Sequence, residues 1–291
     1  MKTYLKLFRV SQWIKNFFVF VPLLFSLHLF EEDFFTTAFR AFITFCLASS
    51  FVYIINDIVD RDADRAHPEK KNRPIASGKV TVNTALFLAA LLLVFIIILM
   101  FTFNLIFNIA VIGFLLLNTL YSFWFKHIVI LDVFSIAAGF ALRVLGGAFA
   151  INVEISSWLI LTTMFISLFL GVMKRHSELS VATYEGNSST RRVLEHYSID
   201  FANQMATVAA AGVIICYALY TVATRTITVF GTENLIYTTP FVVFGIFRYM
   251  YLVYKFDKGE NTTRIMVTDI PMIVTIISYV IVTVLIIYKV F

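Results

Sequence analysis

The chain has 291 residues, of which 60% are hydrophobic and only 14% are charged. A soluble domain carries about 25% charged residues and needs a largely wettable surface, so this composition excludes a soluble globular protein. The net charge of +5 is explained better by membrane topology than by binding of nucleic acid. The sequence therefore predicts an integral membrane protein.

Nine apolar runs predict an all-α, polytopic membrane protein with nine transmembrane helices. About 20 apolar residues are needed for a helix to cross the hydrocarbon core of a bilayer. The first run is short, and the third and fourth are separated only by a tight connection. The predicted spans cover roughly residues 17–30, 36–56, 80–102, 104–122, 128–150, 157–174, 201–224, 236–254 and 269–289.

The distribution of basic residues predicts the orientation of these spans. If the N-terminus is cytoplasmic, 18 of the 23 Lys and Arg residues lie in inner segments. Because Lys and Arg are enriched in cytoplasmic loops, this bias predicts a cytoplasmic N-terminus and an external C-terminus in the cell membrane. Two predicted inner loops, 57–79 and 175–200, are long, polar and charged, and we expect an active site there, facing the cytoplasm.

An acidic motif follows the second predicted helix. At 100° per residue, Asn56, Asp60 and Asp64 share one helix face, with Asp57 at its edge. Carboxylates this close repel each other, and a divalent cation relieves the repulsion. Mg²⁺ prefers carboxylate, phosphate and water oxygens, so the motif predicts a Mg²⁺ (or Mn²⁺) site that binds a diphosphate. The alternative is a solvated loop whose acids form ordinary salt bridges with neighbouring arginines.

The motif Asn56-Asp57-x-x-Asp60-x-x-x-Asp64 resembles the first aspartate-rich motif of the UbiA prenyltransferase superfamily. The segment Tyr121-Ser122-x-x-x-Lys126 is similar to another motif of these proteins. The resemblance implies a single UbiA-type transmembrane domain over residues 1–291. It also implies a metal-dependent reaction in which a diphosphate leaves and a cation-like carbon remains.

The segment after the sixth predicted helix departs from the family pattern. Typical members carry a second DxxxD motif there, whereas this chain has Lys174-Arg175-His176-Ser177-Glu178. Cationic side chains neutralise phosphate directly, which lowers the need for a second metal ion. Together with segments 12–16, 64–68 and 72–78, this sequence resembles the decaprenyl-phosphate phosphoribosyltransferase subfamily. That resemblance implies transfer of 5-phosphoribose from phosphoribosyl diphosphate (PRPP) to a polyprenyl phosphate, with release of diphosphate.

The resemblance also implies roles for individual residues. Asn56, Asp57, Asp60 and Asp64 are the predicted metal ligands, and Asn56, Asp60, Asp64 and Lys174 are the predicted catalytic residues. We expect the lipid phosphate near Lys15 and Lys126. The remaining predicted substrate-binding residues are Arg65, Lys70, Arg73, Tyr121, Arg143, Lys174, Arg175 and Glu178.

Arg143 lies deep in the fifth predicted span and has two interpretations. Buried charges in membranes are costly and often functional, which favours substrate binding. Gly139, Gly146 and Gly147 surround it in sequence, which equally favours a role in bonding to loosened backbone. The sequence does not decide between them.

Two other functions compete with the phosphoribosyltransferase hypothesis. An ordinary prenyltransferase would move a prenyl group from a prenyl diphosphate to an aromatic or other acceptor, but the basic motif at Lys174 and Arg175 argues against it. A transporter would place its charges along a path across the bilayer. The charges here cluster on one predicted face of the membrane, which favours a one-sided enzyme that takes its lipid substrate from the bilayer.

Overall fold

The computed structural model describes residues 2–66, 70–185, 192–256 and 268–289, and within them every regular element is a helix. The prediction of an all-α fold is confirmed. The α-helices are α1 (Lys2–Leu7), α2 (Val21–Leu24), α3 (Glu32–Val59), α4 (Arg61–Ala66), α5 (Val82–Met100), α6 (Leu105–Phe123), α7 (Leu131–Ala150), α8 (Ser157–Glu185), α9 (Ile199–Val222), α10 (Thr224–Phe230), α11 (Thr239–Phe256) and α12 (Ile270–Ile287). The 3-10 segments are Val10–Phe20, Lys70–Asn72, Phe125–His127, Arg192–His196 and Asn234–Thr238.

Eight helical segments in the described part of the chain are long and apolar enough to cross a membrane. Six of them coincide with α3, α5, α6, α7, α9 and α12. The seventh, Ser157–Ser180, is part of α8, and the eighth runs from Asn234 to Lys255. Side-chain oxygens cap several of them at the N-terminus: Thr81 accepts from the backbone N–H of Thr84, and Asn104 from that of Phe107. Such caps satisfy N–H groups that have no partner within the helix.

The first predicted span, 17–30, has a different form. The structure has a 3-10 helix from Val10 to Phe20 that continues into α2, which ends at Leu24. This apolar run, Val10–Leu24, is too short to belong to the eight spans. Asn16 is fully buried in it and bonds to other helices through its side chain. The polar contacts of the segment, rather than its hydrophobicity, decide its conformation.

The first compact unit comprises the residues up to Leu23, His28–Ser135 and Leu142–Glu154. Its central helix is α3, which packs against α5, α6 and the 3-10 segment Val10–Phe20. Phe45 of α3 meets Phe107 and Phe114 edge to face, with ring centroids 6.1 and 5.4 Å apart. This geometry is favoured for aromatic pairs, and it holds the helix that carries the acidic motif.

The second compact unit comprises Leu24–Leu27, Ile136–Ala141 and the chain from Ile155 onward. Helices α8 and α9 form its main packing contact. A Cβ added at Gly212 of α9 would lie 2.5 Å from the Phe165 ring of α8, so glycine allows the two helices to approach closely. The sequence predicted that the sixth span ends at 174, yet α8 continues to Glu185. Residues 175–185 are therefore helical.

Candidate active site

The acidic motif lies at the C-terminal end of α3 and on α4. The backbone N–H of Asp60 donates to the carbonyl of Asn56 (2.9 Å), and that of Asp64 donates to the carbonyl of Asp60 (2.8 Å). Helical hydrogen bonding therefore continues across the junction of the two helices, as the predicted spacing requires. Asp57 and Asp64 are buried, at 1% and 4% exposure.

Arg73 contacts two of the three carboxylates. Its Nη1 donates to Asp64 Oδ2 at 2.6 Å and to Asp57 Oδ1 at 3.2 Å. Arg73 directly follows the 3-10 turn Lys70–Asn72, and its backbone N–H bonds the carbonyl of Lys70 at 2.9 Å. The turn thus brings a basic side chain from the predicted loop back onto the acidic motif.

Arg9 was not predicted as a site residue, yet it pairs with Asp57. Its guanidinium also lies over the Tyr53 ring, 4.6 Å from the centroid. Arg9 has a left-handed backbone conformation, with φ 48° and ψ 46°, which is uncommon for a residue with a side chain and concentrates at functional sites. Arg9 and Asp57 are 48 positions apart, so sequence spacing gave no signal for this contact.

Lys126 completes the neutralisation of the motif. Its Nζ donates to Asp60 Oδ1 at 2.5 Å, and Asn56 Nδ2 donates to Asp60 Oδ2 at 3.0 Å. Lys126 is buried and lies in the 3-10 turn that follows α6. The sequence predicts Lys126 near the lipid phosphate, and the structure shows that its side chain bonds Asp60 of the acidic motif.

The oxygen donors of the motif suit a divalent cation, which prefers carboxylate and phosphate oxygens. Asp57 Oδ2 is buried and has no hydrogen-bond partner, so it remains available as a ligand. Within the described ranges, no group of three or more His, Cys, Asp or Glu side chains is arranged to hold a metal ion. In this arrangement Arg9, Arg73 and Lys126 neutralise the carboxylates instead.

Several other predicted residues lie at the edge of the motif. Arg65 donates from Nε to the carbonyl of Ala76 (3.1 Å) and pairs with Asp62. Asp62 is exposed, and a hydrogen bond and the charge of Arg61 lower the pKa of its carboxyl. Asp62 therefore stays ionised at the surface and offers a control for its buried neighbours. Three further predicted residues are partly exposed: Lys15, Lys70 and Tyr121.

The predicted basic motif lies on α8 in the second unit. Arg175 is fully buried and pairs with Glu178, whereas the Lys174 side chain is 38% exposed, with its Nζ 4.0 Å from Glu178 Oε1. Opposite charges three and four positions apart stabilise a helix, which explains why α8 continues through a charged sequence. Lys174 is thus the accessible cation of this motif.

Arg143 is 7% exposed and lies on α7. Its Nε donates to Asn16 Oδ1 at 2.7 Å, and its guanidinium lies 4.6 Å from the centroid of the Phe114 ring. These contacts join α7 to the 3-10 segment Val10–Phe20 and to α6.

A second pair that the sequence did not predict joins α11 to the start of α12. Arg248 donates from Nε and Nη2 to the two carboxylate oxygens of Asp269, at 3.0 and 2.9 Å. Asp269 also caps α12 by accepting from the backbone N–H of Met272 at 3.0 Å. The cap is a local contact, whereas the ion pair depends on tertiary packing.

Comparison with known proteins agrees with this architecture. The model of the UbiA prenyltransferase family matches residues 18–272. The decaprenyl-phosphate phosphoribosyltransferase of Mycolicibacterium smegmatis is 37% identical over 222 residues, which cover 74% of this chain and 69% of that protein. The protein of the same name from Mycobacterium tuberculosis is 32% identical over 225 residues, covering 74% and 72%.

A solved structure has the same fold. The structure of a UbiA homolog from Archaeoglobus fulgidus bound to GPP and Mg²⁺ superposes with a TM-score of 0.74, covering 98% of this chain and 99% of that one. The sequence identity is 17%, so this likeness concerns the fold.

The helices and the charged motifs at their ends define an integral membrane protein with an acidic site at the end of an apolar helix. The chain belongs to the UbiA prenyltransferase family. It is a transferase, and the predicted family resemblance is confirmed.

Proposed function

We propose that this protein transfers 5-phosphoribose from PRPP to a polyprenyl phosphate such as decaprenyl phosphate. The observation that carries the proposal is the pairing of every buried or half-buried acid of the motif with a basic side chain: Arg9, Arg73 or Lys126. A donor and an acceptor that both carry phosphate need more cations than a neutral acceptor does. The names of the M. smegmatis and M. tuberculosis relatives support the same reaction.

The reaction exchanges one bond to the ribose C1. The bond from C1 to the diphosphate oxygen breaks, and diphosphate leaves with the electron pair. An oxygen of the lipid phosphate then forms the new bond to C1. The acceptor phosphate is already ionised, so the step needs no general base. Stabilisation of the leaving diphosphate is the main task of the site.

We assign the metal to Asn56, Asp57, Asp60 and Asp64. Their donor atoms are all oxygens, and Asp57 Oδ2 has no hydrogen-bond partner. A bound Mg²⁺ or Mn²⁺ would neutralise the charge that develops on the leaving diphosphate. The side chains of Arg73 and Lys126 are close enough to the acids to bind phosphate oxygens beside such an ion. The Mg²⁺ in the A. fulgidus UbiA homolog supports a divalent cation.

The remaining substrate contacts follow from exposure and charge. We assign Lys15, Arg65, Lys70 and Tyr121 to the substrates, because the sequence resemblance implies this role and each side chain is at least partly exposed. Following the sequence resemblance, we also assign Lys174, Arg175 and Glu178 to the PRPP phosphates, with Lys174 as the direct contact and Glu178 as the residue that orients Arg175.

Membrane topology provides one test. We propose a single domain with nine spans, the segment 10–24 being the short first one, an N-terminus in the cytoplasm and the active site on that face of the cell membrane. A reporter fused at the C-terminus should be active outside the cell. A reporter inserted at 186–190, which lies outside the described residues, should be active inside. The reverse pattern would place the acidic motif on the outer face and overturn the orientation.

The reaction itself is tested by an assay of purified protein with Mg²⁺, labelled PRPP and polyprenyl phosphate. We expect a lipid-linked phosphoribose and free diphosphate. A parallel reaction with a prenyl diphosphate and 4-hydroxybenzoate should give no product. Prenylation of the aromatic acceptor, without consumption of PRPP, would replace the proposal with the ordinary prenyltransferase hypothesis.

Arg73 provides a test of the cationic side of the site. Arg73→Met removes the charge that bonds Asp57 and Asp64, and a hydrogen bond to a charged group contributes about 1.5–3 kcal/mol. We expect kcat/KM for PRPP to fall about 10- to 100-fold. Arg61→Met is the matched control, because Arg61 pairs with the exposed Asp62. An equal loss in both variants would contradict a specific role for Arg73.

A further inference from the structure

The N-terminal 3-10 segment Val10–Phe20 is unusual in its length. It has 11 residues, whereas 3-10 runs of more than three or four residues are uncommon because their hydrogen-bond geometry is poor. Tertiary contacts therefore hold it. Trp13 Nε1 donates to Ser50 Oγ at 3.0 Å, and Ser50 Oγ donates to the carbonyl of Phe8 at 2.8 Å. These bonds join the segment to the middle of α3.

Asn16 makes three side-chain hydrogen bonds to other helices. It is fully buried, and its Nδ2 donates to Cys46 Sγ at 3.3 Å. Its Oδ1 accepts from Ser49 Oγ at 3.2 Å and from Arg143 Nε at 2.7 Å. One amide thus receives bonds from α3 and from α7, and the bond from Arg143 is the shortest of the three.

The backbone of the segment also lies against α7. A Cβ at Gly147 would overlap the carbonyl oxygen of Val19, so only glycine permits this approach. Gly147 is one helical turn beyond Arg143, and the two residues therefore contact the segment from the same side of α7. The guanidinium also lies over the Phe114 ring, 4.6 Å from its centroid.

The position of this segment determines where two basic residues lie. Arg9 immediately precedes it and pairs with the buried Asp57. Lys15 is adjacent to Asn16 in the chain. A displacement of the segment would move both cations relative to the acidic motif, and errors of about 1 Å in such a site lower turnover strongly.

We propose that Arg143 is a positioning residue that acts through Asn16: it fixes the 3-10 segment Val10–Phe20 and thereby keeps Arg9 on Asp57. A buried arginine in a membrane helix is costly and needs such a function. Its planar guanidinium bonds Asn16 in a fixed direction, which a lysine ammonium does not do. The inference rests on the proposed function only for its effect on turnover, because the position of the segment is measurable without substrate.

Trp13 reports the position of the segment. The chain has three tryptophans, and the other two, Trp124 and Trp158, are exposed, so Trp124→Phe and Trp158→Phe leave Trp13 as the single tryptophan, which can be excited selectively over tyrosine. In this background, Arg143→Met should increase the acrylamide quenching of Trp13 about twofold or more, because the segment opens locally. Asn16→Leu should give a similar increase, and the double variant should add little, since both residues act in one contact.

Matched controls separate this effect from general destabilisation. Arg248→Met removes another arginine of an apolar helix, one that pairs with Asp269 in the second unit, and it should leave Trp13 quenching unchanged. Arg143→Lys keeps the charge without the planar donor and should give an intermediate value, which keeps the test valid if Arg143→Met does not fold. In the PRPP assay, Arg143→Met should lower kcat more than it raises KM for PRPP.

Two results would overturn the proposal. Unchanged Trp13 quenching in Arg143→Met together with lost transfer would mean that Arg143 contacts a substrate. Additive increases in the double variant would mean that Arg143 and Asn16 act independently. If the wild type does not use PRPP, the proposed function fails, while the quenching series still decides whether Arg143 positions the segment.

Discussion

Asp60→Asn and Asp64→Asn are each expected to abolish phosphoribosyl transfer while the protein stays folded in detergent. Asn has nearly the shape of Asp but no charge. Each change therefore removes a carboxylate oxygen that would bind the metal ion or a basic side chain, with little change in packing. Asp60 pairs with Lys126, and Asp64 pairs with Arg73. Loss of one electrostatic contact to a developing charge costs about 10²- to 10³-fold in kcat, and loss of a charged ligand should cost at least this.

The measurement is kcat with saturating PRPP and lipid over a range of Mg²⁺ concentrations. Size-exclusion profiles and thermal unfolding in detergent check the fold, because removing one partner of a buried ion pair is also destabilising. Asp62→Asn is the matched control, since Asp62 is two positions from both Asp60 and Asp64 in sequence but is exposed and paired with Arg61 and Arg65. Its activity should stay close to that of the wild type. Full activity in either Asp60→Asn or Asp64→Asn would refute the metal assignment.

Lys174→Asp is expected to destroy phosphoribosyl transfer without creating a prenyltransferase. The change restores an acid at the first position of the family's second DxxxD motif. It also replaces +1 by −1 at a side chain that is 38% exposed. At contact distance, one unit charge is worth about 4 kcal/mol at an effective dielectric constant of 20. Partial exposure reduces this through solvent screening, so we expect a loss of about 10²-fold or more in kcat/KM for PRPP.

The residue at the second acidic position of the DxxxD pattern, Glu178, explains why Lys174→Asp should not create prenyltransferase activity. Arg175 is fully buried and pairs with Glu178, so the new aspartate would lie beside an acid that is already neutralised. Lys174→Met is the matched control, because it removes the charge without reversing it. Its kcat/KM for PRPP should lie between those of the wild type and Lys174→Asp. Arg175→Ala should also lower phosphoribosyl transfer.

These outcomes are measured with both donor substrates, PRPP and prenyl diphosphate. Equal activity of Lys174→Asp and the wild type with PRPP would remove Lys174 from the site. Consumption of geranyl or longer prenyl diphosphates by the wild type, with no use of PRPP, would show that the basic motif was misinterpreted.

The sequence by itself determined the long apolar helices and the spacing of the acidic motif. Apolar runs predicted residues 80–102 and 104–122 as spans, and the structure has Val82–Met100 and Leu105–Phe123. Such predictions succeed because a bilayer leaves helices as the main way to satisfy backbone polar groups. The position of Asn56, Asp60 and Asp64 on one helix face is also a local property, because backbone hydrogen bonds between residues four apart determine it.

Only the tertiary structure decided which cations neutralise those acids. Arg9 reaches Asp57 from 48 positions away, and Lys126 reaches Asp60 from 66 positions away. Hydrophobicity carries no information about such pairs. The 3-10 form of Val10–Phe20 was also beyond sequence analysis, because it depends on bonds from α3 and α7 to Asn16. Local periodicity specifies helices, whereas the chemistry of this site depends on side chains that only packing brings together.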